Sequence, residues 1–211
     1  MLKLSLIAIF FALASANFAA IQALKSASVE TFECYAQKNV SLVISTVWDQ
    51  IQGPIELFNE SYTNAKTAGI PNYDAIIKMN GNSKPEDICQ QTAHALPDDF
   101  NGTVWISFYD VFSRDLEERI PYVDSVIKTC QQHGLKMGIY SYQHLWMKLF
   151  YYQSASSETI RALPLFYDNQ DKNANFDDFQ QVQFGEWTAP TMKEYVGRTW
   201  GFCYTFLDGQ A

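Results

Sequence analysis

Short apolar stretches alternate with longer amphipathic stretches along most of this chain. The apolar stretches are rich in β-branched and aromatic residues and have the length of strands, which predicts buried β-strands. The predicted strands cover 18–24, 41–48, 73–79, 103–110, 135–142, 161–168, 192–197 and 200–208. Apolar residues at helical spacing predict one helix that begins near Ser28 and others over 55–69, 85–96 and 114–134.

Strands that alternate with helices imply parallel pairing through right-handed crossovers, and therefore an α/β fold. Seven or eight strands in the 211 residues of the chain favour a closed (β/α) barrel in a single domain, with a doubly wound sheet as the alternative. The glycine-rich fingerprint of a nucleotide-binding sheet is absent. In a barrel the functional site lies at the C-terminal ends of the strands. The strand TVWISFYD (103–110) would bring Asp110 to that end.

The first residues have the pattern of a secretory signal peptide. Lys3 gives a basic start, residues 4–13 are almost wholly apolar, and Ala14–Ala16 has the small residues of a cleavage site. The apolar run is too short to span a membrane. We expect residues 1–16 to be removed, leaving a mature domain over 17–211 that is secreted or lumenal and not inserted in a membrane.

Charge and cysteine content narrow the possible partners. The formal net charge is −8, which disfavours nucleic acid and anionic membrane surfaces as partners. Four cysteines in an exported chain favour two disulfide bonds over a metal site. No metal ion and no cofactor is predicted. Three N-x-S/T sequons are predicted glycosylation sites, at Asn39, Asn59 and Asn101.

One segment, HGLKMGIYSYQHLW (133–146), resembles the family-25 glycoside hydrolases, the lysozymes of the Chalaropsis type. Matching segments follow in the same order: LFYDNQDKNANFDDF (165–179), GEWTAPTMKEYVG (185–197) and GFCYTFLD (201–208). The resemblance covers nearly the whole mature chain. It implies a somewhat irregular (β/α) barrel and, in active members, cleavage of the β-1,4 linkage between muramic acid and glucosamine in bacterial peptidoglycan.

This sequence departs from the family at the strand ends that carry carboxylates. The fourth strand of the family typically reads W-I-D-V-E, and Trp105 and Ile106 match its start. Ser107 then takes the place of the aspartate and Tyr109 that of the glutamate. Side chains alternate along a strand, so positions 107 and 109 share the side that faces the mouth. Asp110 should point toward the helices or solvent, unless a β-bulge turns it inward.

The other acids of the family are also replaced in the alignment. The aspartate of the first strand aligns near Gln22, and the aspartate of the last strand aligns near Phe206. Asp208 lies two residues further on and keeps the same side of the strand. A shift of register would therefore restore an acid at Asp208.

Glycoside hydrolysis needs a carboxylic acid that protonates the leaving oxygen. Glutamine, serine, tyrosine and phenylalanine do not supply that acid near neutral pH. The sequence therefore favours a secreted lysozyme-like protein that has lost hydrolysis and binds a peptidoglycan-like glycan or a secreted or surface protein. The alternative is an active muramidase that uses Asp110 and Asp208.

Aromatic side chains at strand ends are candidate contacts for a sugar ring, because they offer a flat apolar face and, in tyrosine and tryptophan, a polar edge. The predicted glycan-binding residues are Trp48, Tyr109, Tyr140, Tyr142, Tyr167 and Trp187.

Histidines and serines supply less specific signals. His144 ends the fifth predicted strand and is either a rim residue or a base at the mouth, whereas His94 and His133 are expected on helix surfaces. A Ser-His-Asp triad through Ser107 or Ser141 is disfavoured because no G-x-S-x-G elbow is present.

The barrel topology also predicts which cysteines pair. The first helix of a barrel neighbours the last strand, which brings Cys34 toward Cys203. Cys89 and Cys130 lie on successive helices of the outer ring, and we expect them to form the second bond.

Overall fold

The computed structural model describes the backbone of residues 19–23 and all of residues 27–152 and 155–195. The signal peptide predicted over 1–16, the strand predicted over 200–208, and Cys203, Phe206 and Asp208 lie outside the described residues. Within them the chain forms one α/β unit.

The strands follow the apolar stretches closely. They are β1 (Ala19–Ala23), β2 (Val40–Asp49), β3 (Gly53–Pro54), β4 (Asn72–Met79), β5 (Thr103–Phe108), β6 (Lys136–Ser141), β7 (Leu165–Asp168) and β8 (Met192–Glu194). β7 is shorter than the apolar run that predicts it, because Glu158–Arg161 forms a turn of helix before it. The two-residue strand β3 pairs antiparallel with the end of β2 and was not predicted.

The helices lie between the strands. They are α1 (Val29–Gln37), α2 (Leu57–Thr67), α3 (Pro85–Ala95), α4 (Leu116–Gln132), α5 (Gln143–Phe150) and α6 (Glu158–Arg161), followed by a 3-10 turn at Phe179–Gln181. Ser28 caps α1 by accepting a hydrogen bond from the Thr31 amide, the usual role of serine at that position. Pro121 lies inside α4, which begins five residues earlier, so it neither starts nor ends the helix.

The strand order explains which side of the sheet the helices cover. The order is β1-β2-β4-β5-β6-β7-β8, and each neighbouring pair is parallel. Right-handed crossovers that always advance in one direction place all helices on the same side. A doubly wound sheet, which needs a reversal of strand order, is therefore the wrong alternative.

Because none of the helices in the described ranges covers the other side of the sheet, the sheet curls to bury that side. A large outer core lies between sheet and helices, and a smaller inner core is formed by residues Leu42, Ile44, Ile76, Trp105 and Phe166. The rings of Trp105 and Phe166 are 5.6 Å apart although β6 lies between their strands. Gly138 on β6 makes this possible, because a Cβ there would lie 2.5 Å from the Trp105 ring.

The predicted closed barrel is observed only as this curled sheet. Within the described parts of the chain, no pairing joins β8 to β1, so the observed architecture is a half-barrel of seven parallel strands. In the same parts of the chain, no helix is long and apolar enough to cross a membrane.

The cysteines of α3 and α4 form a disulfide bond. The sulfur atoms of Cys89 and Cys130 are 2.05 Å apart, and both residues are fully buried in the outer core. This bond is the one that the placement on successive helices predicts. Cys34 is also disulfide-bonded, and its predicted partner Cys203 is outside the described residues.

Candidate functional site

The C-terminal strand ends place polar side chains on the inner side of the curled sheet. Along each strand, every second side chain faces the inner side of the sheet. Beyond the residue that lies in the inner core, the side chains two and four positions further along therefore line the mouth. These mouth residues are Lys78 on β4, Ser107 and Tyr109 at the end of β5, Tyr140 and Tyr142 at the end of β6, Asp168 on β7 and Glu194 on β8.

A β-bulge adds Asp49 to the mouth. The pairing of β2 with β4 shifts between Thr46 and Trp48, and Val47 and Trp48 both lie in the outer core. Asp49 then lies opposite Lys78 on the inner side, although simple alternation from Leu42 would turn it outward. Asp49 was not among the residues predicted from the sequence, because a bulge leaves no clear signal in a single apolar strand.

Asp49 holds Tyr109, the residue at the position of the family's glutamate. The Tyr109 hydroxyl donates to Oδ2 of Asp49 at 2.7 Å, and Nζ of Lys78 lies 4.3 Å from the centre of the Tyr109 ring. Partial burial, together with the Asp49 carboxylate, raises the pKa of Tyr109 to about 12. Tyr109 is therefore neutral near pH 7, and its proton is already committed to Asp49.

A second cluster joins β6, β7 and β8. The Tyr140 hydroxyl donates to Oε2 of Glu194 at 2.6 Å, and Glu194 lies opposite Asp168 in the parallel pairing of the last two strands. Burial and then the charge of Glu194 raise the pKa of Asp168 to about 6. Burial and the two carboxylates also raise the pKa of Tyr140. Neither acid was among the residues predicted from the sequence, because both lie outside the aligned strand ends at which the family's carboxylates were sought.

The position of Asp168 predicts a pH-dependent effect on stability. Between pH 3.8 and about 6 the unfolded chain releases a proton that the folded chain retains, so this group lowers stability as pH rises through that window. We expect Asp168→Asn to raise the free energy of unfolding at pH 7.5 by on the order of 1 kcal/mol, less than the full pKa shift would give because solvent screens this half-buried carboxylate, and to change it little near pH 3.5. Urea unfolding at both pH values measures the difference.

The matched control for this prediction is Asp177→Asn, the same change at an exposed residue, which should be neutral at both pH values. An equal effect of Asp168→Asn at the two pH values would contradict the assignment of a raised pKa to Asp168.

A cleft of about 310 Å³ opens beside Asp168. It lies between the β6–α5 corner and the end of β7, and its walls combine polar and apolar groups. Its lining residues are Tyr142, Gln143, His144, Tyr167, Asp168, Asn169, Gln170 and Val182. The volume is at the low end of ligand-binding pockets, large enough for one or two sugar rings.

A buried lysine fixes the irregular segment that forms one wall of the cleft. The side chain of Lys193 is only 3% exposed and pairs with Asp171 at 2.9 Å and Asp178 at 2.7 Å. Asp178 also accepts hydrogen bonds from Tyr167 and Asn169. Although burial opposes ionisation, the bonds from Lys193, Asn169 and Tyr167 lower the pKa of Asp178 to about 2. The cleft wall is therefore held by an ionised network.

The structure places Asp110 outside the mouth clusters. It follows the end of β5, its side chain is exposed, and it lies 3.6 Å from Nζ of Lys148 on α5. No bulge interrupts the pairing of β5 with its neighbours. The described geometry thus agrees with the alternation argument on where Asp110 points, and its lack of a catalytic role stays a prediction.

The six aromatic candidates divide into two groups. Trp48, Tyr167 and Trp187 are 3%, 2% and 5% exposed and belong to the outer core, so the structure does not place their faces in the mouth, although Tyr167 borders the cleft. The indole nitrogens of the two tryptophans donate to Gln91 and to the Leu163 carbonyl. Tyr109, Tyr140 and Tyr142 lie on the inner side, and glycan binding by the six aromatic residues stays a prediction.

The remaining candidates are distributed as follows. His144 is exposed at the cleft rim, whereas His94 and His133 lie on helix surfaces, His133 beside Glu86 at 2.9 Å. Ser107 and Ser141 are buried, and Gln22 lies on β1. The three sequon asparagines, Asn39, Asn59 and Asn101, are exposed, and their glycosylation stays a prediction.

Comparison with known proteins gives a consistent result. The family model described as lysozyme-like protein 1 matches residues 14–195. Counting factor 50 of Dictyostelium discoideum is 28% identical over 180 residues, which are 80% of this chain and 56% of that protein. The probable GH family 25 lysozyme 5 of the same organism is 28% identical over 176 residues, 79% of this chain and 77% of that protein. The chain thus spans about half the length of some curated relatives.

Solved structures show the same fold at low identity. A bacterial lysozyme from Streptomyces coelicolor has a TM-score of 0.66 and 14% identity, covering 85% of this chain and 84% of that one. The modular autolysin LytC from Streptococcus pneumoniae, solved in complex with a synthetic peptidoglycan ligand, has a TM-score of 0.58 and 14% identity, covering 84% of this chain and 42% of that one.

Proposed function

Since this chain belongs to the lysozyme-like proteins of glycoside hydrolase family 25, we propose that it is a secreted protein that binds a glycan in the mouth of its half-barrel and has lost the hydrolysis of its family. The observation that carries this proposal is the Tyr109–Asp49 hydrogen bond of 2.7 Å. Tyr109 occupies the place of the glutamate in the family's strand, and Ser107 occupies the place of the aspartate.

The chemistry of that replacement opposes hydrolysis. A tyrosine with a pKa near 12 is a poor proton donor to a leaving oxygen, and the Tyr109 proton is already bound by Asp49. Ser107 is buried and neutral. Neither residue replaces the carboxylic acid that cleavage of a glycosidic bond requires.

Binding of a glycan is supported by the cleft next to this site. Tyr142 offers an aromatic wall, and Asn169 and Gln170 offer amide groups, a combination that suits a ring with apolar faces and hydroxyl edges. The autolysin that shares the fold was solved with a peptidoglycan ligand, which supports a glycan of that type. Export is supported by the disulfide bond between α3 and α4 and by the signal sequence.

The experiment that tests this proposal is titration calorimetry with a tetramer of N-acetylglucosamine and with soluble peptidoglycan fragments. We expect Tyr142→Ala to weaken binding by roughly five- to thirty-fold, the effect of losing about 1–2 kcal/mol at a central aromatic contact. Tyr152→Ala is the matched control, because Tyr152 is 66% exposed and lies outside the cleft. Absence of binding by the unmodified protein would overturn the proposal.

A second candidate function is an active glycosidase with acids at new positions. Asp168 and Glu194 lie opposite each other on neighbouring strands, and a pKa near 6 would let Asp168 donate a proton. Retaining glycosidases use two carboxyl groups about 5 Å apart. Against this function, Glu194 is bound by Tyr140.

A further inference from the structure

The acids beside the cleft lack positive partners. In the described parts of the chain, no ion pair reaches Asp168 or Glu194, although other acids of the molecule are paired. Lysines near the mouth and the cleft are engaged elsewhere: Lys78 lies over the Tyr109 ring, and Lys148 pairs with Asp110. Lys193, in the cleft wall, pairs with Asp171 and Asp178. His144, exposed at the rim, is the titratable basic side chain that lines the cleft.

The amide of Asn169 has one defined orientation. Its Nδ2 donates to Oδ2 of Asp178 at 2.6 Å, and a carboxylate accepts hydrogen bonds but does not donate them. Asp178 is itself held by Lys193 at 2.7 Å. The carbonyl oxygen of Asn169 and the second hydrogen of its Nδ2 are therefore left for a ligand in the cleft that this residue lines.

In the described parts of the chain, the negative charges at the cleft are carboxylates, which accept hydrogen bonds. The carboxylate of Asp168 and the carbonyl of Asn169 are neighbours in sequence at the end of β7, and Glu194 adds its charge from β8. Such a surface attracts N–H and O–H donors, particularly the N–H groups of an ammonium cation, and repels carboxylates.

From this arrangement we propose that the cleft selects glycans through their hydrogen-bond donors: it prefers hexosamine units with a free amino group over N-acetylated ones, and it disfavours muramic acid units with a free carboxylate. This selectivity rests on the proposed function, because it names the class of glycan that the same site binds.

The test compares three probes by calorimetry at pH 7 and low salt: a tetramer of glucosamine, a tetramer of N-acetylglucosamine, and the disaccharide of N-acetylglucosamine with N-acetylmuramic acid. A hydrogen bond between charged groups predicts that the glucosamine tetramer binds about tenfold more tightly than its acetylated form. The preference should shrink as salt is raised. Asp168→Asn and Glu194→Gln should each reduce it to about two- or threefold.

Asp177→Asn, an exposed carboxylate in the same irregular segment, is the matched control and should retain the full preference. The selectivity would be overturned by equal affinity for both tetramers, or by a preference that Asp168→Asn leaves unchanged. It would also be overturned if the muramic acid disaccharide bound more tightly than the tetramer of N-acetylglucosamine. If the selectivity fails but the probes still bind and Tyr142→Ala weakens that binding, the proposal of glycan binding itself stands. If no probe binds, both proposals fail.

Discussion

Replacing Cys89 and Cys130 together with alanine should lower the free energy of unfolding by about 4 kcal/mol. The bond closes a loop between residues 41 positions apart, and in the chain-entropy model a loop of that length restricts the unfolded chain by roughly 3–5 kcal/mol. Both residues are fully buried between α3 and α4, so loss of packing adds to the effect. Urea unfolding of wild type and variant at pH 7 measures the change.

A Cys89→Val/Cys130→Val variant separates the two contributions. Valine restores most of the buried volume but not the covalent link. The valine variant should therefore recover the free energy of unfolding that is lost with the packing, while the larger loss, which comes from the missing covalent link, remains. A loss below about 1 kcal/mol in both variants would show that the bond contributes little to holding α3 against α4.

Much of this fold is encoded locally and could be predicted. The strand predicted over 41–48 is observed as Val40–Asp49, and the helix predicted over 85–96 as Pro85–Ala95. Apolar period and capping residues act within a few positions, so a single sequence shows them. The pairing of Cys89 with Cys130 followed from the order of helices alone.

Helix α5 was not predicted, although its sequence carries a local signal. Its buried residues, Leu145, Trp146, Leu149 and Phe150, recur at helical spacing, and the leucine, methionine, lysine and glutamine residues of the segment are good helix formers. The helix is only eight residues long and follows β6 closely, so its signal is easily taken for the end of that strand. Packing of Trp146 against Phe108 and Trp187 adds to the local preference.

The candidate site was predicted only in part, because a bulge and the pairing of distant strands decide which other side chains reach the mouth. The sequence correctly placed Ser107 and Tyr109 on the inner side, because alternation along β5 is regular. It missed Asp49, which a bulge turns inward. It also missed Asp168 and Glu194, whose significance arises only when β7 and β8 are paired in register. Trp48, Tyr167 and Trp187 were predicted as glycan contacts at strand ends. They lie in the outer core, although Tyr167 also borders the cleft, and their contact with a glycan stays a prediction.

The unmodified protein should show no muramidase activity, and this is the prediction with the largest expected effect on function. General acid catalysis alone supplies roughly 10²- to 10⁴-fold in rate, and the strand-end positions of the family's acid pair hold Ser107 and Tyr109. Asp110 is exposed and paired with Lys148, so Asp110→Asn should leave glycan binding unchanged.

The most direct test combines wall binding and wall clearing in one sample of purified bacterial cell walls. Sedimentation measures the protein bound to the walls, and turbidity measures their cleavage, with a heat-killed sample as the baseline and an active family-25 muramidase as the positive control. Because we propose that the protein binds the glycan but does not cleave it, we expect the protein to sediment with the walls while turbidity stays at the baseline. Clearing that Asp110→Asn or Asp168→Asn abolishes would contradict the account and identify that carboxylate as the acid.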